Sequence, residues 1–399
     1  MRDRIIELSR KYFKEIQEIR RHLHAHPELS FEEFETSKYI KGILSRHGIA
    51  YTTGWVKTGI VGIIKGELSP SKGEEKIIAL RADMDALPIK EANTCTYKSR
   101  NEGVMHACGH DVHTASLLGA AIILNEIRNQ FSGVIKLIFQ PGEEKLPGGA
   151  NLMIEQGVLN DPSPSIMYGQ HVHPPLETGK VGIRPGKYMA SADEIYISVK
   201  GVGGHAALPH ECIDPILITS HLIVSLQQVV SRNSNPLSPT VLSFGKIESM
   251  GGATNIIPAE VKIQGTFRAL DEQWRSKAHT LIVHHAENLA KSMGGSCDVN
   301  IIKGYPYLEN NEELSITTKE RMIDYLGPEN VVDLPQRMSA EDFAFYSQKI
   351  PSCFYRLGTG NQAKGITSAV HTTTFDIDEE SLKIGAGLLA YLTFRELSE

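Results

Sequence analysis

The sequence predicts an α/β fold: a mainly parallel sheet covered by helices on both faces, with an inserted α+β domain of ferredoxin-like order. Three observations predict it. Short apolar, β-branched runs alternate with helical stretches up to residue 171. Near residue 190 the runs switch to strict polar–apolar alternation. From about residue 305 the first pattern returns. Continuous apolar strands are buried on both faces and alternating strands on one face, so the switch marks a change of architecture.

Each element follows from local pattern. Residues 4–23 place Ile5, Leu8, Tyr12, Ile16, Ile19 and Leu23 on one helical stripe, and a second helix is expected from Phe31 to Arg46, stopping at Gly48. Lys76–Asp83 then reads as a buried strand, His113–Asn129 as a helix and 133–139 as a strand. A helix near 149–156 and a strand at Ser165–His171 complete the run. Strands alternating with helices imply parallel pairing. Beyond residue 190, Glu194–Lys200 and Val261–Phe267 alternate; a helix at 213–231 and a strand at 240–247 lie between them. A helix at 271–293 and a strand at 297–303 follow. The order β-α-β-β-α-β suits two helices on one face of an antiparallel sheet. The expected division is 1–187 with 305–399 as one domain and 188–304 as the other. There is no internal repeat and no low-complexity segment.

Composition narrows the functions. The chain has 399 residues, 41% hydrophobic, with a formal charge of −6 and no basic stripe. Nucleic acid and anionic membrane surfaces are therefore not expected partners. No segment reaches the roughly 20 apolar residues that span a bilayer, and the first ten residues lack the apolar core of a signal peptide. Cys95, Cys108, Cys212, Cys297 and Cys353 are an odd, scattered set rather than a disulfide framework, so a soluble cytoplasmic protein is expected.

The chemistry is concentrated at strand ends. Strand 76–82 runs into Asp83-Met84-Asp85, strand 133–139 into Gln140-Pro141-Gly142-Glu143-Glu144, and strand 165–170 into His171. Sites in open α/β sheets form outside the carboxyl ends of strands. Adjacent carboxylates repel, and a buried one is costly without a cation, so Glu143-Glu144 suggests one carboxylate on a metal and one handling protons. Cys108 and His110, two residues apart, reach one site if their segment is extended. Thiolate, imidazole and carboxylate together suit zinc, manganese, nickel or cobalt better than calcium or magnesium, in an open catalytic centre. Asp83 and Asp85 could serve as turn residues or orient a ligand imidazole. His113, in a first helical turn, suits capping or packing, and structural or surface roles are expected for His22, His24 and His26.

With those residues in view, the chain resembles the dinuclear-metal amidohydrolases of the aminoacylase and carboxypeptidase type. Within them it is similar to the branch with hippurate hydrolases, N-acetyldiaminopimelate deacetylases and auxin-conjugate hydrolases. The resemblance spans nearly the whole chain and is carried by a series of short strings. These are Leu23-His24-Ala25-His26-Pro27-Glu28-Leu29-Ser30, Arg81-Ala82-Asp83-Met84-Asp85-Ala86-Leu87-Pro88, the Cys108–His113 run, the Gln140–Glu144 run and Gly169-Gln170-His171-Val172. Further along stand Gly204-His205-Ala206-Ala207-Leu208-Pro209, Asn255-Ile256-Ile257-Pro258, and His371 with Phe375. The resemblance implies two metal ions held by Cys108, His110, Glu144, His171 and His371, with Glu143 as general base. It also implies that the second domain is a dimerisation and lid element in a homodimer. His205 is then expected to polarise the scissile carbonyl, in the partner subunit's site, and Asn255 and Arg268 to contact substrate. Two departures stand out: relatives often have Ala where Gly142 stands, and Pro where this chain has Thr372-Thr373-Thr374.

The expected reaction is hydrolysis of N-acyl amino acids of acetyl or benzoyl type. An exopeptidase or dipeptidase on the same machinery is the near alternative. A metal-binding protein without turnover is the distant one, and an unligated base beside a full ligand set argues against it.

Overall fold

A computed structural model describes residues 1–70 and 75–398. The chain divides into two compact units: Met1–Tyr188 with Glu309–Pro335 and Asp342–Glu399, and Met189–Leu308 with Gln336–Glu341.

The first unit is built on an eight-stranded sheet. Its order is Ala50–Trp55, Gly59–Lys65, Val134–Gln140, Ile77–Asp83, Ile166–Glu177, Ser352–Gly360, Val181–Ile183 and Val331–Asp333. Val134–Gln140 and Ile77–Asp83 pair in parallel, as do Ile77–Asp83 with Ile166–Glu177, and Ile166–Glu177 with Ser352–Gly360. Every residue of Val134–Gln140 and Ser352–Gly360 is buried, Lys136 and Arg356 included, because these strands are covered on both faces. The helices His110–Glu126 and Ser381–Ser398 pack together on one face of the sheet; Gly149–Glu155 and the short Ala344–Ser347 cover strands on the other. His110–Glu126 is buried along nearly its whole length, apolar from Leu117 to Leu124 and carrying its buried polar groups in the first turns, as suits a helix between sheet and outer helices. The outer layer contains Phe13–Ala25, whose Ile16, Ile19 and Leu23 face the core.

The second unit has four antiparallel strands in the order Thr240–Ser249, Glu260–Ala269, Asp193–Lys200, Ser296–Lys303. Its two long helices, Pro215–Gln228 and Glu272–Ser292, bury Ile218, Leu222, Ala278 and Ile282 against Ile195, Ile197, Val199 and Ile263. This is the βαββαβ arrangement.

Local departures have local causes. The predicted first helix is two, Arg2–Lys11 and Phe13–Ala25, broken at Tyr12. The second begins at Phe34 rather than Phe31, because Phe31 sits in the left-handed region at φ 68°. The antiparallel pair Ala50–Trp55 and Gly59–Lys65 lies outside the elements that periodicity predicts; the first of these strands is largely exposed and has no core stripe to read.

Candidate metal centre

The central strands bring the chemistry together. Asp83 ends its strand, and Glu143-Glu144 follow Val134–Gln140 next door through the turn Pro141-Gly142. His171 lies inside Ile166–Glu177 rather than at its end, since that strand runs six residues further than its apolar pattern suggests. Cys108 and His110 are not on an extended segment. Gly109 turns the chain at φ 85° and His110 is the first residue of the helix His110–Glu126. A Cβ at Gly109 would lie 2.6 Å from Val172 Cγ2, so only glycine allows this approach of helix to strand.

The five implied ligands converge. Cys108 Sγ is 3.4 Å from His171 Nε2 and 3.3 Å from His371 Nε2. His371 Nε2 is 3.3 Å from Glu144 Oε1, and His110 Nε2 is 3.9 Å from that oxygen. Glu143 Oε2 is 3.8 Å from His110 Nε2. Ligand atoms thus gather in overlapping groups, Cys108/His110/His171, Cys108/Glu144/His371 and His110/Glu143/Glu144, a pattern for two divalent ions. The donor atoms also fit ions chemically. His110 Nε2 and Glu144 Oε1 are buried and make no hydrogen bond among the described residues, a costly state that a cation relieves.

Hydrogen bonds set which ring nitrogens are available. His171 Nδ1 donates to the Val172 carbonyl at 2.8 Å, leaving Nε2 with its lone pair toward Cys108. His110 Nδ1 faces Asp85 Oδ1 at 3.2 Å, which turns Nε2 to the site. His113 differs: the Val172 N–H donates to its Nε2 at 2.9 Å, and its Nδ1 meets Asp83 Oδ1 at 2.6 Å. Both nitrogens are used, so His113 fastens helix to strand and cannot ligate.

Asp85 does more than orient one imidazole. Its Oδ1 also accepts from the Glu143 N–H at 3.1 Å, and Oδ2 from the Glu144 N–H at 3.0 Å and the Ser30 hydroxyl at 2.6 Å. Asp83 is held from below by Arg81 Nη1 at 2.7 Å; the same guanidinium donates to Gln140 and Asp342.

The field is strongly negative. Burial pulls the His110 imidazolium down, but Asp83 and Asp85 outweigh it and raise its pKa to about 10. Burial, then Glu144, Glu143 and Asp83, push the Cys108 thiol well up, so a thiolate there needs a cation. Burial, with Arg356 and His113, holds His171 neutral. For Asp83 and Asp85 burial is overcome by His110 and neighbouring donors, and both are held below the usual carboxylate range.

The second unit carries the other three candidates. His205 and Ile256 are opposite each other in a two-stranded pair, and the Ala206 N–H donates to the Asn255 carbonyl at 3.0 Å, so His205 and Asn255 are neighbours. His205 is exposed, with Nδ1 accepting from the Ala207 N–H at 3.1 Å. Arg268 stands apart on strand Glu260–Ala269, against Thr266 and the Phe267 carbonyl. His371, which the residue pattern alone does not mark, sits at φ 63° in the left-handed region, its N–H donating to the Ala107 carbonyl at 2.7 Å. Glu33 also goes unsignalled: in a run of acidic residues it is fully buried beside the Gly142 turn.

Comparison with known proteins agrees with this centre. The family model "Peptidase family M20/M25/M40" matches residues 79–395. The chain is similar to the N-acetyl-L-cysteine deacetylase of Bacillus subtilis (41% identical; 96% of this chain, 88% of that one). It is similar to thermostable carboxypeptidase 2 of Saccharolobus solfataricus (39% identical; 98% of each chain). Among solved structures it is similar to a dinuclear metal-binding peptidase of Bacillus subtilis, at a TM-score of 0.82, 32% identity and coverage of 98% and 99%. A ligand cluster of this composition on this fold, among such relatives, makes the protein a metal-dependent amidohydrolase, and the chain belongs to peptidase family M20/M25/M40.

Proposed function

We propose that the protein hydrolyses N-acyl amino acids, of acetyl or benzoyl type, to a carboxylic acid and a free amino acid. The observation that carries the reading is the split between two adjacent glutamates. Glu144 Oε1 lies among Cys108, His110 and His371, while Glu143 is buried beside them and reaches His110 only at 3.8 Å. In this reading Cys108, His110, Glu144, His171 and His371 hold two ions, which when bound supply Lewis acidity and a water acidified toward neutrality. Glu143 takes a proton from that water and returns it to the leaving amine. His205 donates to the developing oxyanion, Asn255 contacts the substrate, and the forked guanidinium of Arg268 meets its carboxylate. The deacetylase relative supports an N-acyl substrate. The carboxypeptidase relative supports the second reading, an exopeptidase or dipeptidase on the same site.

The reading includes a homodimer in which His205 serves the partner subunit. Its support is within the second unit, where strand Thr240–Ser249 is the sheet's edge and Ile216, Leu217 and Val224 on helix Pro215–Gln228 are exposed. A cytoplasmic location is supported by the five cysteines, all unpaired.

The test is a panel of N-acetyl and N-benzoyl amino acids beside dipeptides, with protein reconstituted in turn with zinc, manganese, nickel and cobalt. Turnover of the N-acyl series above the dipeptides is expected; the reverse order favours the peptidase. Glu143→Gln should keep both ions and lose at least about 10²-fold in kcat, the scale of general-base catalysis. Wild-type turnover by that variant removes Glu143 from the mechanism.

A further inference from the structure

We infer that Glu33 is a positioning residue for the Glu143-Glu144 turn; the inference rests on the roles proposed above for those two glutamates. Three successive amides point at two buried carboxylates. The Gly142 N–H donates to Glu33 Oε1 at 2.9 Å, and the next two N–H groups donate to Asp85. The backbone of the base and the ligand is thereby pinned from behind, leaving Glu144 to the ligand cluster and Glu143 between His110 Nε2 at 3.8 Å and the Asp342 N–H at 3.5 Å.

Glu33 holds more than one partner. The Phe31 N–H donates to the same Oε1 at 2.9 Å and the Thr58 hydroxyl to Oε2 at 2.7 Å. No cation pairs with this fully buried side chain among the described residues; burial and the nearby Asp85 raise its pKa to about 7, and the donors oppose that shift. The bond to Phe31 also fixes that residue at φ 68°, an unfavourable conformation for a side chain of its size. Its ring then fills the space over Gly142, where a Cβ would lie 2.3 Å from Phe31 Cε1. Gly142 itself is at φ 63°, and its carbonyl accepts from the Gly149 N–H at 2.9 Å. The turn is gripped at its amide, at its Cα and at its carbonyl, and Glu33 organises the first two.

This arrangement exceeds what holding a surface loop would require. A base displaced by about 1 Å loses on the order of 10²-fold in rate, so the turn's placement is a catalytic quantity. Glu33→Ala should lower kcat roughly 10- to 100-fold while KM changes less than about threefold. Affinity for the ion on Glu144 should fall about 10-fold, read by metal analysis after dialysis. Glu33→Gln keeps an oxygen for the two amides and should recover most of the lost kcat. A role in folding alone would lower Tm and leave the kcat of folded protein untouched.

The inference is overturned if folded Glu33→Ala keeps wild-type kcat, or if Glu33→Gln is as impaired as Glu33→Ala. Should Glu33→Ala be recovered only unfolded, Thr58→Val removes one bond from the same carboxylate. A lowered kcat at unchanged KM then supports the inference, and wild-type kcat overturns it. Glu143→Gln is assayed alongside. An inactive Glu143→Gln with a fully active Glu33→Ala sinks this inference alone, whereas an active Glu143→Gln sinks the base assignment and this inference with it.

Discussion

His24 lies outside the metal centre yet is bound as tightly as any ligand. Its Nδ1 is 2.8 Å from Asp111 Oδ2 and its Nε2 3.2 Å from Glu91 Oε1, with Arg20 Nε at 2.8 Å from the same Asp111 oxygen. A carboxylate beside each ring nitrogen favours the charged ring, although Arg20 Nη2 lies 3.3 Å from Nδ1. Burial and Arg20 oppose that charge, but Asp111 and Glu91 outweigh them and hold the imidazolium above its ordinary range. A group whose folded pKa is raised contributes stability that is fully present below its unfolded value, near 6.5, and lost as pH rises through the folded value. His24→Gln is therefore expected to cost about 3 kcal/mol at pH 6, the scale of breaking a buried ion pair. The gap between the two proteins should narrow as the pH rises above neutrality, measured by urea unfolding across that range. An unchanged gap would show that His24 is neutral in the fold. The sequence marks His24 only as one of three alternating histidines; the carboxylates that decide its state come from residues 91 and 111.

At the scale of elements, what was legible in the sequence followed burial. The strands Ile77–Asp83 and Val134–Gln140 and the helix His110–Glu126 declare themselves because a continuous apolar run has few other uses. The exposed Ala50–Trp55 does not. Ligand-type residues at strand ends were legible for the same reason: polar groups following a buried run stand out. His371 was not, because it lies on a loop with no period and was reached only through family resemblance. Nor were the conformations of Gly109 and Phe31, which depend on Val172 and Glu33. The edge strand Thr240–Ser249 supports an element-scale prediction. Sedimentation of the wild type should show a dimer, and Val224→Glu, which places a charge on the exposed apolar side of the neighbouring helix, should yield monomer with reduced turnover. A fully active monomer would remove the proposed role of His205 in the partner subunit.

On the scale of the whole chain, the centre draws on four stretches far apart in sequence: Cys108 to His110, Glu143-Glu144, His171 and His371. Without a cation it gathers carboxylates in a buried, negative place. Ions that bind only the folded state stabilise it by about 1.4 kcal/mol for each tenfold excess over Kd. Chelation should therefore lower Tm, and added manganese or zinc should restore it in a concentration-dependent way, followed by calorimetry. A Tm indifferent to both chelator and added ions would mean that the folded centre binds no ion in preference to the unfolded chain. The packing of Phe31 on Gly142 also limits how the turn can be re-engineered. The ring stands where a methyl group would, and the turn's φ of 63° disfavours any side chain. Gly142→Ala therefore has to displace the Phe31 ring or the turn itself, so the two positions are best varied together.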